Sequence, residues 1–257
     1  MRRVSFVLMA TVLAAFTVAA ADAPKIDPAI TAAVESKDRP AADKERDGSR
    51  KPAIVLQFFG VKPGQTVIEY FAGSGNTAEL LSRVVGPKGK VYAQNAPKFI
   101  EDPKRAAAIE ERLANNRLPN VERLDKPLDA LGLPKNSVDG AVMNLVFHDF
   151  FWLSDNVPGI LKDLYATLKP GGFVGVVDHS APAGTKDRDA KDVKGNHRID
   201  EEYVKQLFKE AGFELEAHSD ALRNSADDRS KPFFAPEWKD SDKYTDRFVL
   251  KFRKPKK

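Results

Sequence analysis

Glu69 stands four residues before the first glycine of the run Val67-Ile68-Glu69-Tyr70-Phe71-Ala72-Gly73-Ser74-Gly75-Asn76. The run reads as an apolar strand ending in an acid, a Gly-x-Gly turn and the start of a helix. Glycines at 73 and 75 let the backbone turn sharply and let a ligand lie against it with no Cβ in the way. A carboxylate at that strand end is a costly charge unless a cation or a hydrogen-bond donor meets it. Gly73, Gly75 and Ala78 formally satisfy the G-x-G-x-x-G/A of a dinucleotide site. The next strand, however, ends Tyr92-Ala93-Gln94-Asn95, with no carboxylate for ribose hydroxyls.

A second set of chemical groups follows the fourth and fifth strands. Asn144-Leu145-Val146 runs into Phe147-His148-Asp149-Phe150-Phe151-Trp152, and the fifth strand ends Val177-Asp178-His179. His148 and Asp149 are the acid/base candidates by location. Phe150, Phe151 and Trp152 could wall an acceptor or hold a cation, or simply pack their loop onto the next helix. Asp178, His179 and His197 complete a polar group at the same edge. Three of the four histidines therefore fall in ligand-edge loops, which invites a metal. No H-x-x-x-H or H-E-x-x-H spacing supports one, and the sequence assigns none. His218 falls in an outer strand, as a structural or solvated residue.

The elements that must position these groups alternate steadily. Strands are expected over Gln65–Phe71, Lys90–Gln94, Val121–Leu124, Val138–Val146, Phe173–Val177, Phe213–His218 and Arg247–Phe252. Helices are expected over Pro52–Phe59, Asn76–Val85, Pro103–Asn116, Asp155–Leu168 and Asp200–Ala211. This pattern predicts an α/β fold with helices on both faces of a mostly parallel, Rossmann-like sheet of seven strands. The last two strands lack a helix between them, so one should be antiparallel. Ahead of the domain at 52–252, residues 22–51 read as a short helix from Pro28 and then a charged loop lying over the surface or over a ligand. Inserts are expected at about 183–196 and 222–245. The aromatics of the second, Phe233, Phe234 and Trp238, should fold back over the substrate side. Residues 253–257 read as a solvated basic tail.

Composition bounds the rest. The chain has 257 residues, 42% apolar and 30% charged, with a net charge of +4 and no cysteine. So small a charge argues against a nucleic-acid partner. Zero cysteine excludes a disulfide scaffold, a cysteine nucleophile and a thiolate zinc site. Met1-Arg2-Arg3, an apolar run from Val4 and Ala19-Ala20-Ala21 have the layout of a signal peptide over residues 1–21. The expectation is an exported, periplasmic or secreted protein with no stable membrane span after cleavage.

The motifs together carry a resemblance. E-x-x-x-G-x-G at Glu69–Gly75, VDGAVMN at Val138–Asn144, Leu168-Lys169-Pro170-Gly171-Gly172 and Ala211-Gly212-Phe213-Glu214-Leu215 resemble a class I S-adenosylmethionine-dependent methyltransferase. RKPAIVLQFFGVKPG, VVDHSAPAG and HRIDEE are similar to a poorly characterised group of exported bacterial members. The resemblance implies a methyltransferase sheet, S-adenosylmethionine as cofactor, and methyl transfer to a small or envelope-associated acceptor. It implies a turn at Ala72, Gly73 and Gly75 under the methionine moiety, with Glu69 near its amino group. Asn144 falls in the family's fourth-strand motif. Gln94 or Asn95 stands where most relatives have an acid on the ribose, a departure from the pattern. Asp125 stands where an acid often meets the adenine amine, or is a turn residue before Lys126-Pro127. That departure and the export signal motivate an alternative, a non-catalytic protein that keeps the fold and binds a nucleoside-like ligand. Leu168–Gly172 and the two unbridged terminal strands disfavour a nicotinamide oxidoreductase.

Overall fold

A computed structural model describes residues 25–192, 195–239 and 244–256. Residues 1–21, read above as a signal peptide, lie outside the described residues. Seven strands, β1 (Thr66–Glu69), β2 (Lys90–Asn95), β3 (Val121–Asp125), β4 (Val138–Asn144), β5 (Leu168–His179), β6 (Glu214–Ser219) and β7 (Arg247–Arg253), form one sheet. Their order is β3-β2-β1-β4-β5-β7-β6. Only β7 runs against the others, pairing antiparallel with both β5 and β6. The alternating pattern therefore gives the expected Rossmann-like fold, the one antiparallel strand included. The order reverses between β1 and β4, and a crevice opens beyond their carboxyl ends.

Period-two alternation divides the core between the two faces. Ile68, Ala141, Met143, Val174, Val176, Leu250 and Phe252 face one way, under the helices Val157–Thr167 and Glu201–Glu210. Val67, Val142, Phe173, Val177 and Val249 face the other, under the helices Pro28–Glu35, Pro52–Phe59 and Asn76–Val85. Both faces are buried, as a mostly parallel sheet requires. Gly140 of β4 is paired with Phe173 of β5, and a Cβ there would stand 2.1 Å from the Phe173 ring. That ring is buried and cannot withdraw. Gly140→Ala is accordingly expected to cost about 1–3 kcal/mol by overpacking, read as a lowered thermal midpoint.

The structure departs from the sequence reading in several places. β1 ends at Glu69 rather than Phe71, because Phe71 turns into the left-handed region at φ 53°. β5 begins at Leu168, so Leu168–Gly172 is already strand. The charged segment after Glu35 is not a plain loop but carries two single-turn helices, Ala41–Lys44 and Asp47–Arg50. Ion pairs rather than apolar packing fix it. Arg39 binds Asp47 at 2.7 Å, and Arg112 binds both Asp43 (2.8 Å) and the buried Glu79 (2.6 Å). Nor is Lys254 part of a solvated tail. Its ammonium is held by the carbonyls of Tyr165 and Leu168 and by Asn136, at the C-terminal end of the helix Val157–Thr167. A cation there meets unpaired helix carbonyls.

Candidate functional site

The glycine turn is built from the backbone up and clasped by two amides. Gly73 and Gly75 both adopt positive φ, 58° and 80°, and Gly75 caps the helix Asn76–Val85. A Cβ on Gly75 would also stand 2.8 Å from Ile109, whereas Gly73 looks onto open space. Asn95 Oδ1 accepts from the Gly73 amide at 2.9 Å, and its Nδ2 donates to the Gly73 carbonyl. Gln94 Oε1 accepts from the Phe71 amide at 3.0 Å, and its Nε2 donates to the Lys126 carbonyl. Ala72 bridges the turn, donating to the Gln94 carbonyl and accepting from the Gly75 amide. Both amide side chains, expected to face a ribose, are completely buried and engaged with backbone. What they visibly do is hold the loop.

Glu69 lies beneath this turn, almost wholly buried, and its Oε2 has no hydrogen-bond partner. Burial pushes its carboxyl up to about 8, against the pull of the Thr77 hydroxyl, the Ala78 amide and the Arg112 and Arg50 guanidiniums. Thr77 is itself tied to Asn144 at the end of β4, at 3.0 Å, so β1 and β4 are joined across the crevice. Asp47, Arg50, Asn76, Thr77 and Asn144 line one cleft there. Asp125 is paired with Asn95 across β2 and β3; Arg123 holds its Oδ2, and Oδ1 is unpartnered.

The second set of groups converges as well. Asp178, fully buried at the end of β5, accepts from the His148 amide (2.8 Å) and the His179 amide (2.7 Å). Its Oδ1 lies 2.7 Å from His148 Nδ1. The bond orients the imidazole so that Nε2, buried and without a hydrogen-bond partner, points away from Asp178. Burial draws the His148 pKa down, but the attraction and hydrogen bond of Asp178, with Asp149, outweigh it and leave the pKa raised. His179 is driven well below its ordinary value by burial and the Arg247 charge, so it is neutral. Asp149 Oδ1 accepts from Trp152 Nε1 at 2.7 Å. Phe233, from the second insert, stacks on His179 at 4.6 Å and borders His148 and His197.

Of the residues expected to form this site, His148, Asp149, Asp178, His179 and His197 come together. Phe150 does not join them. Its ring is fully buried between Tyr70 and Phe147, so it packs the core rather than walling an acceptor. Trp152 is half-buried and orients Asp149 through its indole N–H. Sequence reasoning missed Arg50 and Thr77 in the cleft beside the glycine turn. It foresaw an aromatic cover from Phe233, Phe234 and Trp238, and Phe233 is the ring that stacks on His179. Arg50 had no local signal, because it is brought over the cleft by ion pairs of a segment without apolar period.

This loop, this strand order and Leu168–Gly172 recur in known proteins. Residues 68–176 match the family model of a methyltransferase domain. The domain is similar to that of an arsenite methyltransferase of Halobacterium salinarum, 27% identical over 208 residues, 77% of this chain and 49% of the relative. It is also similar to the 2-phytyl-1,4-naphtoquinone methyltransferase of Synechocystis sp., 32% identical over 132 residues, 51% of each chain. The ubiquinone/menaquinone biosynthesis C-methyltransferase of Escherichia coli is 31% identical over 130 residues, 50% of this chain and 48% of the relative. The chain spans about half the length of these curated relatives. Its fold matches a solved S-adenosylmethionine-dependent methyltransferase from Aquifex aeolicus, with TM-score 0.59 and 23% identity over 90% of this chain and 100% of that one. Among the described residues no helix is long and apolar enough to cross a membrane.

Proposed function

We propose that this chain transfers a methyl group from S-adenosylmethionine to a small-molecule acceptor held beside His148. The observation that carries the reading is Glu69, a buried carboxyl with an unpartnered oxygen under a two-glycine turn. Such a group wants a cation, and the cofactor's ammonium is one. The residues around the cleft offer groups for the rest of the methionine moiety. Gly73 leaves the space above it open, Arg50 offers a cation to the carboxylate, and Thr77 and Asn144 offer polar atoms. Asp125 Oδ1 offers an acceptor at the adenine end. Gln94 and Asn95 contribute by fixing the loop. When bound, the cofactor supplies a methyl carbon made electrophilic by its sulfonium.

The remaining work is positioning, since in-line displacement depends on alignment in a dry pocket. His148 Nε2, with Nδ1 held by Asp178, can take the proton of an acceptor that must lose one. His179 and Phe233 form an uncharged wall over it. The named activities of the relatives, on arsenite and on quinones, support a small acceptor. Export through residues 1–21 belongs to the same proposal, supported by the basic start, apolar run and small-residue exit. A mature N-terminus at Asp22 is the expected product. Calorimetry with S-adenosylmethionine, S-adenosylhomocysteine and NAD is the test of the cofactor. Binding of both sulfur nucleosides and not NAD is expected. No binding of either at millimolar concentration would sink the reading, and binding without turnover on any acceptor would favour the non-catalytic alternative.

A further inference from the structure

His148, Asp149 and His197 bring three atoms of metal-ligand type to one point. His148 Nε2 lies 3.3 Å from Asp149 Oδ1, and His197 Nδ1 lies 3.9 Å from the same oxygen. All three ligand atoms fall within 4.8 Å of one another. Metal bonds of about 2.0–2.2 Å set neighbouring ligand atoms about 2.8–3.6 Å apart, so a modest inward shift of His197 closes the set.

The surroundings are those of a built site. Asp178 receives the Nδ1 proton of His148 and so fixes the tautomer that leaves the Nε2 lone pair outward. This is the carboxylate–histidine support that metal-binding imidazoles carry. His148 is 1% exposed, and its Nε2 has no hydrogen-bond partner, an expensive state for a buried polar atom. Trp152 Nε1 donates to the same Asp149 Oδ1 at 2.7 Å and so holds the carboxylate in place. Phe233 and Phe234 border the group on the insert side, at 5.8 and 5.6 Å from the His197 ring. Asp149 and His197 stay partly exposed, which leaves an entry path.

We propose that His148 Nε2, Asp149 and His197 bind one divalent transition-metal ion at the acceptor end of the crevice. Two imidazole nitrogens and one carboxylate, without sulfur, suit Zn²⁺, Fe²⁺, Co²⁺ or Mn²⁺ rather than a soft monovalent ion. Three protein ligands leave positions open for a donor atom of the acceptor. In the loaded protein His148 is a ligand rather than a base, and the ion holds the acceptor in its place. The metal site stands apart from the cofactor reading, since none of its residues belongs to the glycine turn.

The test uses the full chain, stripped with chelator and titrated with Zn²⁺ and with Co²⁺. One equivalent should bind at micromolar concentration or below, and Co²⁺ should give visible d–d absorption. Asp149→Asn and His197→Ala should each weaken binding at least tenfold, and Asp178→Asn about 10- to 100-fold. His218→Gln, on the outer strand, should leave it unchanged. Should a variant fail to fold, Co²⁺-shifted imidazole protons in the unaltered protein identify the ligands, expected as His148 and His197. Less than a tenth of an equivalent bound overturns the proposal, as does binding that survives both His197→Ala and Asp149→Asn, or that depends on His218. Metal binding without S-adenosylmethionine binding would keep this site and sink the methyl-transfer reading; the reverse result would do the opposite.

Discussion

Glu69→Gln is expected to weaken S-adenosylmethionine binding 10- to 100-fold while making the protein more stable at alkaline pH. The first effect follows from losing a charge-assisted contact, about 1.5–3 kcal/mol. The second follows from linkage. The Glu69 carboxyl is raised from 4.5 to about 8 by burial. Between those values the folded chain keeps a proton that the unfolded chain has released. Stability must then fall as pH rises from 4.5 to 8, and it stays lost above. The difference corresponds to about 5 kcal/mol as an upper bound. Thermal midpoints of the wild type should decline over that window and those of Glu69→Gln should stay flatter. Parallel profiles would refute the assignment. A bound cation also favours the ionised carboxyl, so cofactor affinity should climb as pH approaches 8. At pH 7, calorimetry in buffers of different ionisation enthalpy should show net proton release.

Asp227→Asn should be the most damaging single change outside the crevice. Arg198 is fully buried, and its guanidinium is held by both Asp227 oxygens and by the carbonyls of Ser180 and Lys231. Asp227 also accepts from the Arg229 and Asp246 amides. These bonds tie the second insert to the end of β5 and to the start of β7. Removing one partner leaves a buried cation uncompensated, at a cost of about 3–5 kcal/mol. Because the pair anchors the segment that carries Phe233, hydrogen exchange should rise around residues 222–239 and near His179. The double change Arg198→Met with Asp227→Leu should recover much of the stability, since apolar packing can replace a buried pair. If the single variant keeps wild-type exchange, the anchor reading fails.

Together these two changes separate the parts of the crevice. In the proposed function Glu69 acts at the cofactor side, where its cost in stability is what readies it for a cation. Arg198 and Asp227 act beside His179, where they fix the segment that carries Phe233. An unaltered thermal profile in one variant leaves the other prediction standing.

What the sequence determined by itself was whatever depends on neighbours along the chain. Period-two strands, helix stops at glycine and the left-handed turn at Gly73 and Gly75 are local properties. With the alternation of elements they fixed the sheet, its antiparallel strand and the crevice beyond β1 and β4. Location at strand ends also brought His148, Asp178 and His179 into one region. Only the tertiary structure decided what each group does there. Asn95 meets Gly73 across 22 residues and is engaged as a clasp, although its type alone suited a ribose. His148 gains its orientation from Asp178, 30 residues on, and Phe233 reaches His179 from an insert with no regular period. Phe150, adjacent to the candidate base, turned into the core instead. A side chain's type sets which bonds it can make, but burial and partners set which it does make. Those depend on packing between segments far apart in the chain.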